Sequence, residues 1–400
     1  MAVNILEGAF FGFALGFASF VTVLPLFFGT LTNSALLIGL IPAIHSVGWQ
    51  LPQLFLAQRV GRLTRFKPTV LWYGIHERLP FLAFAFLAMR LSSLSVQSAL
   101  MIGYLLLIWQ GLGSGFTASP WQSMIAKIIP AERRGLFFGL QSAAANFLAS
   151  LSAAAAGFIL AKLDSPFDFT ICFTLAFIFF IASYFFLSLT REPEIPLEEK
   201  PEADLSLRKG VLRILRQDVN FRWFILARFL AQFAMLAFAF YTIHIVVNLG
   251  VSEAKVGLMT SAYLAAQIIF NPLMGAAGDR FGHHRMMIAG VICAAVSAGV
   301  AWIAPAPDWF FLVFLLAGIA NVALWTMALA LTLEFGSNAD RPAYIGLANT
   351  LIAPATFIAP FVGGWLADHA GYPAAFMASS LIGLLTAALL IIKIRNPRHV

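Results

Sequence analysis

Three consecutive ionisable residues, His76-Glu77-Arg78, stand inside an apolar run, about ten residues from its start. If that run crosses a bilayer, they lie near its middle, where each charge costs roughly 2.5–3.5 kcal/mol on insertion scales and must be paired or protonated. Two kinds of chemistry fit. Glu77 can titrate, with Arg78 and His76 as its companions, and couple protons to work done by the chain. Alternatively the group is a static ionic clamp between helices. Successive residues on a helix point about 100° apart, so adjacency alone does not pair Glu77 with Arg78.

Other polar residues recur with helical spacing. His45, Trp49 and Gln53 share one face, as do Tyr263, Gln267 and Asn271, and as do Ser142, Asn146 and Ser150. Gln110, Ser114 and Thr117 recur on a fourth. Amides and aromatic rings can hold an organic solute by hydrogen bonds and stacking. The same groups in lipid also fasten helices together, at about 0.6–2 kcal/mol each. The serines read as such fasteners. The two aromatic–amide faces, with Gln110, Asn146 and Trp325, are the candidate solute contacts, while Trp109 reads equally as packing. Adjacent His283 and His284, in an expected loop, lack a metal-ligand set, and a latch or headgroup role fits them better than zinc. Cys172 and Cys293 both fall in apolar runs and read as small buried hydrophobes.

The elements that carry these residues are set by composition. Of 400 residues, 60% are hydrophobic and only 11% charged, against roughly 25% charged in a soluble domain. Such a chain cannot cover a water-facing surface, which excludes a soluble enzyme, a nucleic-acid-binding module or a disordered scaffold as the whole molecule. A bilayer core of about 30 Å takes roughly 20 apolar residues per helix. Twelve runs qualify, at approximately 5–29, 35–58, 68–90, 96–118, 136–160, 167–189, 223–248, 256–276, 286–304, 309–333, 344–366 and 374–392, here spans 1 to 12. The residues behind the formal charge of +7 sit mostly in the connections between them. One set of alternate connections, with the tail, holds 20 of the 25 lysines and arginines, and the opposite set only Arg90, Lys162 and Lys255. By the positive-inside rule the termini and the long central loop are expected in the cytoplasm. Arg228, a few residues into span 7, is expected to snorkel to that surface.

The central loop, 190–222, divides six spans from six. Its first part, Arg191 to Asp204, is acidic and broken by prolines, and reads as a mobile, solvated linker. Its second part, Leu205 to Arg216, mixes leucines with arginines and lysine as an amphipathic surface helix would. The halves echo one another. Glu132-Arg-Arg-Gly-Leu-Phe-Phe-Gly-Leu140 and Ala339-Asp-Arg-Pro-Ala-Tyr-Ile-Gly-Leu347 align at a register of 207, superimposing Arg134 on Arg341. Arg59-Val-Gly61 is echoed by Arg280-Phe-Gly282. Duplicated bundles of this sort belong to transporters.

At Gly275-Ala-Ala-Gly-Asp279-Arg280-Phe-Gly282-His-His-Arg285 the chain resembles the major facilitator superfamily, whose signature between spans reads Gly-x-Leu-Ala-Asp-Arg-x-Gly-Arg-Lys. The resemblance implies an all-α integral membrane fold of twelve helices in two pseudo-symmetric six-helix bundles, 1–189 and 223–400, joined by 190–222. It also implies alternating access to a site between the repeats. Asp279 then sits against the positive end of span 5 as a gate latch, worth roughly 0.3–2 kcal/mol. Gly282 makes the turn, Arg280 and Arg285 bond nearby carbonyls and carboxylates, and Arg134 and Arg341 belong to the same gate. Three departures weigh against a standard proton–drug antiporter. Gln58 occupies the aspartate position in the first half, Leu107 stands where Gln110-Gly-Leu-Gly-Ser-Gly115 should follow an arginine, and the antiporter glycine–proline pattern is approached only at Ala359-Pro-Phe-Val-Gly-Gly364 in span 11.

The expected protein is a monomeric carrier in the cytoplasmic membrane, with a small organic solute, membrane lipids and protons as candidate partners, and without cofactor, metal or nucleic acid. Efflux of a neutral or amphipathic compound is the first reading, and uptake or facilitated diffusion of a nutrient the second. A membrane enzyme or receptor is the alternative class. It would need acids or nucleophiles gathered at a membrane face, or an added soluble domain.

Overall fold

A segment surrounded by lipid must satisfy its own backbone polar groups, and a helix does so without help. The structure, a computed structural model, describes residues 1–193, 207–337, 340–395 and 397, and among these every regular element is helical. These described residues form twelve spans. Eight are built around one long helix each: Lys67–Met89 (span 3), Val96–Ile128 (4), Arg134–Lys162 (5), Phe167–Ser188 (6), Glu253–Phe281 (8), His283–Ile303 (9), Trp309–Val322 (10) and Tyr372–Lys393 (12). The other four are interrupted. Span 1 is Ala2–Phe17 then Val23–Gly29, span 2 Ala35–Gln50 then Pro52–Gly61, span 7 Val219–Ala234 then Tyr241–Val247, and span 11 Arg341–Thr350 then Ala353–Ala370.

Among the described residues nine spans are long and apolar enough to cross a bilayer by composition alone. The exceptions are instructive. Spans 1 and 2 are each split into shorter helices, and span 3 carries the polar triad His76-Glu77-Arg78. The splits in spans 1 and 7 each follow a first helix of 16 residues, so these two runs are not the unbroken helices that their composition implied. In span 1 the Ser19 hydroxyl accepts from the Val21 and Thr22 amides, both at 3.2 Å, and so supplies partners that the missing helical turn cannot.

Two compact units result, Met1–Ile129 with Ala144–Pro201, and Pro130–Ala143 with Glu202–Val400. The division falls within span 5, whose first turns pack with the second unit. The first unit is centred on phenylalanines: Phe27, Phe28, Phe81, Phe84, Phe173 and Phe180 are fully buried and meet mostly edge to face. Gly12 and Gly16 bring span 1 against the backbone of span 5 near Ala145 and Ala149, and Gly48 meets Gly111 between spans 2 and 4. In the second unit Tyr241, Phe310, Phe314 and Phe376 form the corresponding core.

The start of the central loop is not the mobile, solvated linker its acidity implied. The Glu192 carboxylate is buried, accepting from the Phe66 amide at 2.9 Å, the Lys67 amide at 2.8 Å and the Lys127 ammonium at 2.9 Å. It caps the first turn of span 3, where Pro68 leaves few backbone donors and a negative charge is favoured. Glu192→Gln is expected to lower stability by about 1–2 kcal/mol, from the lost charge at a helix N-terminus, read as a lower melting temperature of the purified protein. The remaining linker acids, Glu194 to Asp204, and Leu205 lie outside the described residues. A helix does follow, Leu207–Gln217, with Ile214 buried and Arg213 paired to Asp340 at 3.1 Å.

Candidate functional site

Four spans of the first unit converge on Glu77 and Arg78. The length of the side chain overcomes the angular separation of neighbours: the guanidinium reaches back to the Gly74 carbonyl at 3.0 Å and to Glu77 at 3.2 Å. It also donates to Ser183 on span 6 at 3.2 Å, lies 3.5 Å from Glu7 on span 1, and faces the rings of Phe11 and Tyr184. Ser114 on span 4 donates to Glu77 at 2.8 Å. Glu7, Glu77 and Arg78 are all buried. Two carboxylates therefore share one guanidinium. Glu7 escaped the sequence reading because it stands near a helix start, yet a signal was there: Glu7 and Glu77 are the only acids before Glu132.

His76 is not part of this group. Its ring lies beside Trp72 and accepts from the Trp109 indole at 3.4 Å, on a different side of span 3. His45 stacks on Phe20 at 3.9 Å and meets the Gln110 carbonyl oxygen at 2.8 Å, so two candidate solute contacts come together beside the break in span 1. Gln53 is fully buried and donates to the Trp49 carbonyl at 2.7 Å.

In the second unit, span 10 contains a π-helical turn, Ala323–Met327. It turns the Thr326 hydroxyl onto Asn271 at 2.7 Å, while Trp325 stays 46% exposed. The Asn271 amide donates to the Gln267 carbonyl at 2.8 Å, and Gln267 in turn meets the Tyr263 hydroxyl. Asn146, half-buried, lies in the first unit, and its carbonyl accepts from Ser150 at 2.8 Å. Arg228 does not snorkel. It is buried and donates to the Ala348 carbonyl at 3.1 Å and Asn349 at 3.3 Å, where the break in span 11 leaves carbonyls without helical donors.

The motif after span 8 also folds within the second unit. The Asp279 carboxylate accepts from the amides of Gly135 at 2.8 Å and Leu136 at 2.7 Å, the first turn of span 5. Gly282 has φ 97°, a left-handed conformation that lets span 8 end and span 9 begin at one residue. His283 and His284 occupy no loop; they are the first residues of span 9 and both are buried. His283 lies 3.4 Å from Asp279 and 2.6 Å from Glu334, an acid in the turn after span 10 that no motif marked. Among the described residues Arg280 and Arg285 do not make the bonds expected of them; both side chains are exposed, Arg280 over the ring of Phe281. Arg134 donates weakly to the Leu333 carbonyl at 3.5 Å, with Arg341 close enough to feel its charge.

Duplicated halves of six lipid-crossing helices, each opening on a broken span, define a membrane transporter. The sequence profile of the Major Facilitator Superfamily matches residues 72–248 and 231–400, and the chain belongs to that family. It is 29% identical to Multidrug resistance protein 1 of Bacillus subtilis over 153 residues, 38% of this chain and 39% of that one. It is 28% identical to the Tetracenomycin C resistance and export protein of Streptomyces glaucescens over 36% of this chain and 27% of that one. The chain thus matches well under half the length of these drug-resistance relatives. An uncharacterized transporter of the same type from B. subtilis, YfkF, is 23% identical over 92% of this chain and 87% of its own. Among solved structures, the Escherichia coli fucose:proton symporter FucP superimposes with a TM-score of 0.77 at 15% identity, over 98% of both chains. A bacterial homologue of the iron transporter ferroportin gives 0.78 at 15%, again over 98% of both. Those two likenesses concern the fold alone.

Proposed function

We propose that this transporter exports a small organic solute, neutral or amphipathic, across the cytoplasmic membrane by exposing one site to each side in turn. The residues 1–189 and 223–400 are its two halves, 190–222 joins them, and both termini face the cytoplasm, in keeping with the uneven distribution of lysine and arginine. The observation that carries the reading is the π-turn of span 10. Such turns, rare and concentrated at functional sites, re-aim side chains. Here one leaves the Trp325 ring half exposed while Thr326 is tied to Asn271. Trp325, Tyr263, His45, Trp49, Gln110 and Asn146 are assigned to solute contact, with the more deeply buried Gln53, Gln267 and Asn271 positioning them. The likeness to drug-resistance relatives supports this direction. A solute screen in inside-out vesicles tests it: uptake of aromatic amphiphiles that falls sharply in Trp325→Ala supports export. Accumulation seen only in right-side-out vesicles means uptake instead.

Coupling is assigned to Glu7, Glu77 and Arg78, not to His76. With both acids ionised the set carries one negative charge in a dry interior, and a single proton makes it neutral. Glu77 is held by Arg78 at 3.2 Å and by Ser114 at 2.8 Å, Arg78 and Ser183 approach Glu7 at 3.5 Å, and the proton is assigned to Glu7. Glu7→Gln and Glu77→Gln each leave one carboxylate for Arg78, a pair that is neutral without a proton. Each is expected to abolish solute accumulation driven by an imposed proton gradient while sparing exchange of labelled for unlabelled solute. Equal loss of both activities, with less folded protein, identifies the set as a clamp.

A further inference from the structure

We infer that the solute carries a hydrogen-bond donor, a hydroxyl or an uncharged N–H, and gives it to Nε2 of His45, while Gln110 keeps that nitrogen an acceptor. This rests on one part of the export reading, the assignment of His45 to solute contact; the direction of transport does not enter. A carboxamide oxygen only accepts, so the 2.8 Å contact between His45 Nδ1 and Gln110 Oε1 places the ring proton on Nδ1. Among the described residues no carboxylate pairs with this ring, and a charge inside a span is costly. The ring is therefore neutral, and Nε2 keeps its lone pair.

Three spans of the first unit hold the ring in place. Gly48 and Gly111 bring spans 2 and 4 into backbone contact, where a Cβ on Gly48 would lie 2.7 Å from the Gly111 Cα. Phe20, buried at the break in span 1, covers one face of the imidazole with planes within 16°, and meets Phe81 edge to face. Burial decides which partner meets a solute: Gln110 is 1% exposed, whereas His45 is half-buried. The Gln110 amide nitrogen is buried with no hydrogen-bond partner among the described residues. Turning the carboxamide round would give that nitrogen to Nδ1 and move the ring proton to Nε2, making it a donor. The fold instead carries an unpaired buried donor, and what it keeps is an acceptor on the open edge of the ring. The two ring nitrogens point to opposite sides, so a group bound at Nε2 leaves Gln110 in place. A phenol, an alcohol, an indole or an amide N–H satisfies that edge. An ether, or the same ring methylated at nitrogen, leaves it desolvated and unpaired.

The test uses the full chain in detergent with nitrogen-15 in its histidine rings, His45 being the resonance pair missing from His45→Gln. The probes are 2-naphthol with its methyl ether, and indole with 1-methylindole, each pair sharing its rings. The free protein is expected to show a proton on Nδ1 and none on Nε2. 2-Naphthol and indole are expected to move the Nε2 resonance at concentrations about fivefold below their methylated partners, the worth of one neutral hydrogen bond. Gln110→Met, which keeps the volume and removes the acceptor, is expected to leave a mixture of tautomers and to bring the members of each pair together. If that variant does not fold, the wild-type tautomer and the wild-type ratio decide. A proton on Nε2 in the free protein overturns the proposal. So does equal binding within each pair while the His45 resonance moves, a result that leaves His45 in contact with solute. A His45 resonance that no probe moves removes the contact itself, and with it both this proposal and that part of the export reading.

Discussion

Exchange of Arg78 for methionine is expected to destabilise the first unit by about 3–5 kcal/mol, the usual result of removing one partner from a buried ionic group. Methionine fills much of the volume and keeps contact with Phe11 and Tyr184, so the loss falls on electrostatics and hydrogen bonds. Glu7 and Glu77 are then two carboxylates near one another, Ser183 still donating to the first and Ser114 to the second, with no cation between them. Melting of the detergent-solubilised protein, followed by the fraction that stays monodisperse after heating, reads the effect. The decisive comparison adds Glu7→Gln and Glu77→Gln to the Arg78→Met background. Neutral amides need no counter-ion, so the triple variant is expected to melt above Arg78→Met alone. Because the three residues act as a unit, their separate effects do not add. A single Arg78→Met chain that melts with the wild type removes the network, and with it the assignment of coupling to Glu7.

What could be read in advance followed the physics that acts along the chain. Lipid solvation imposes long apolar runs, so twelve spans were visible as composition. Positive charge at the ends of helices was visible too, and a duplicated motif survived as an echo at constant register. Interactions that depend on where a helix turns in three dimensions were hidden. Arg228 looked like a surface-seeking arginine because nothing in its own span shows that span 11 breaks beside it and leaves the Ala348 carbonyl in need of a donor. Glu192 looked solvated because it lies in an acidic stretch, while its partners, Phe66, Lys67 and Lys127, come from two other connections. The break in span 7, at 235–240, contains no proline and is as apolar as its surroundings, while that in span 1 is marked only by Ser19, Thr22 and Pro25 at the start of the next helix. Sequence could find the charges that matter; it could not say which way they turned.

The start of span 5 is expected to come away from the second unit when Gly139 is replaced by valine. A side chain at 139 would meet the carbonyl of Asn271 and the backbone of Pro272, and one at 135 would meet the Gly275 carbonyl and the His283 ring. Backbone cannot retreat as a flexible side chain does, so the approach of spans 5 and 8 is possible only without Cβ atoms at these positions. Asp279 closes the same contact electrically, through the Gly135 and Leu136 amides. The two contributions separate by substitution. Asp279→Asn keeps the geometry and loses the charge, which at a helix N-terminus is worth at most about 2 kcal/mol, or about thirtyfold in the opening equilibrium. Gly139→Val removes the approach itself and is expected to exceed that. Ser142→Cys, placed where Thr326 now reaches Ser142 at 3.3 Å, reports opening by its rate of maleimide labelling in a background lacking Cys172 and Cys293. Faster labelling in both variants, greater for valine, identifies a latch in which close helix contact outweighs charge. Unchanged labelling in both means that this junction stays closed throughout the cycle, and the gate must then lie elsewhere.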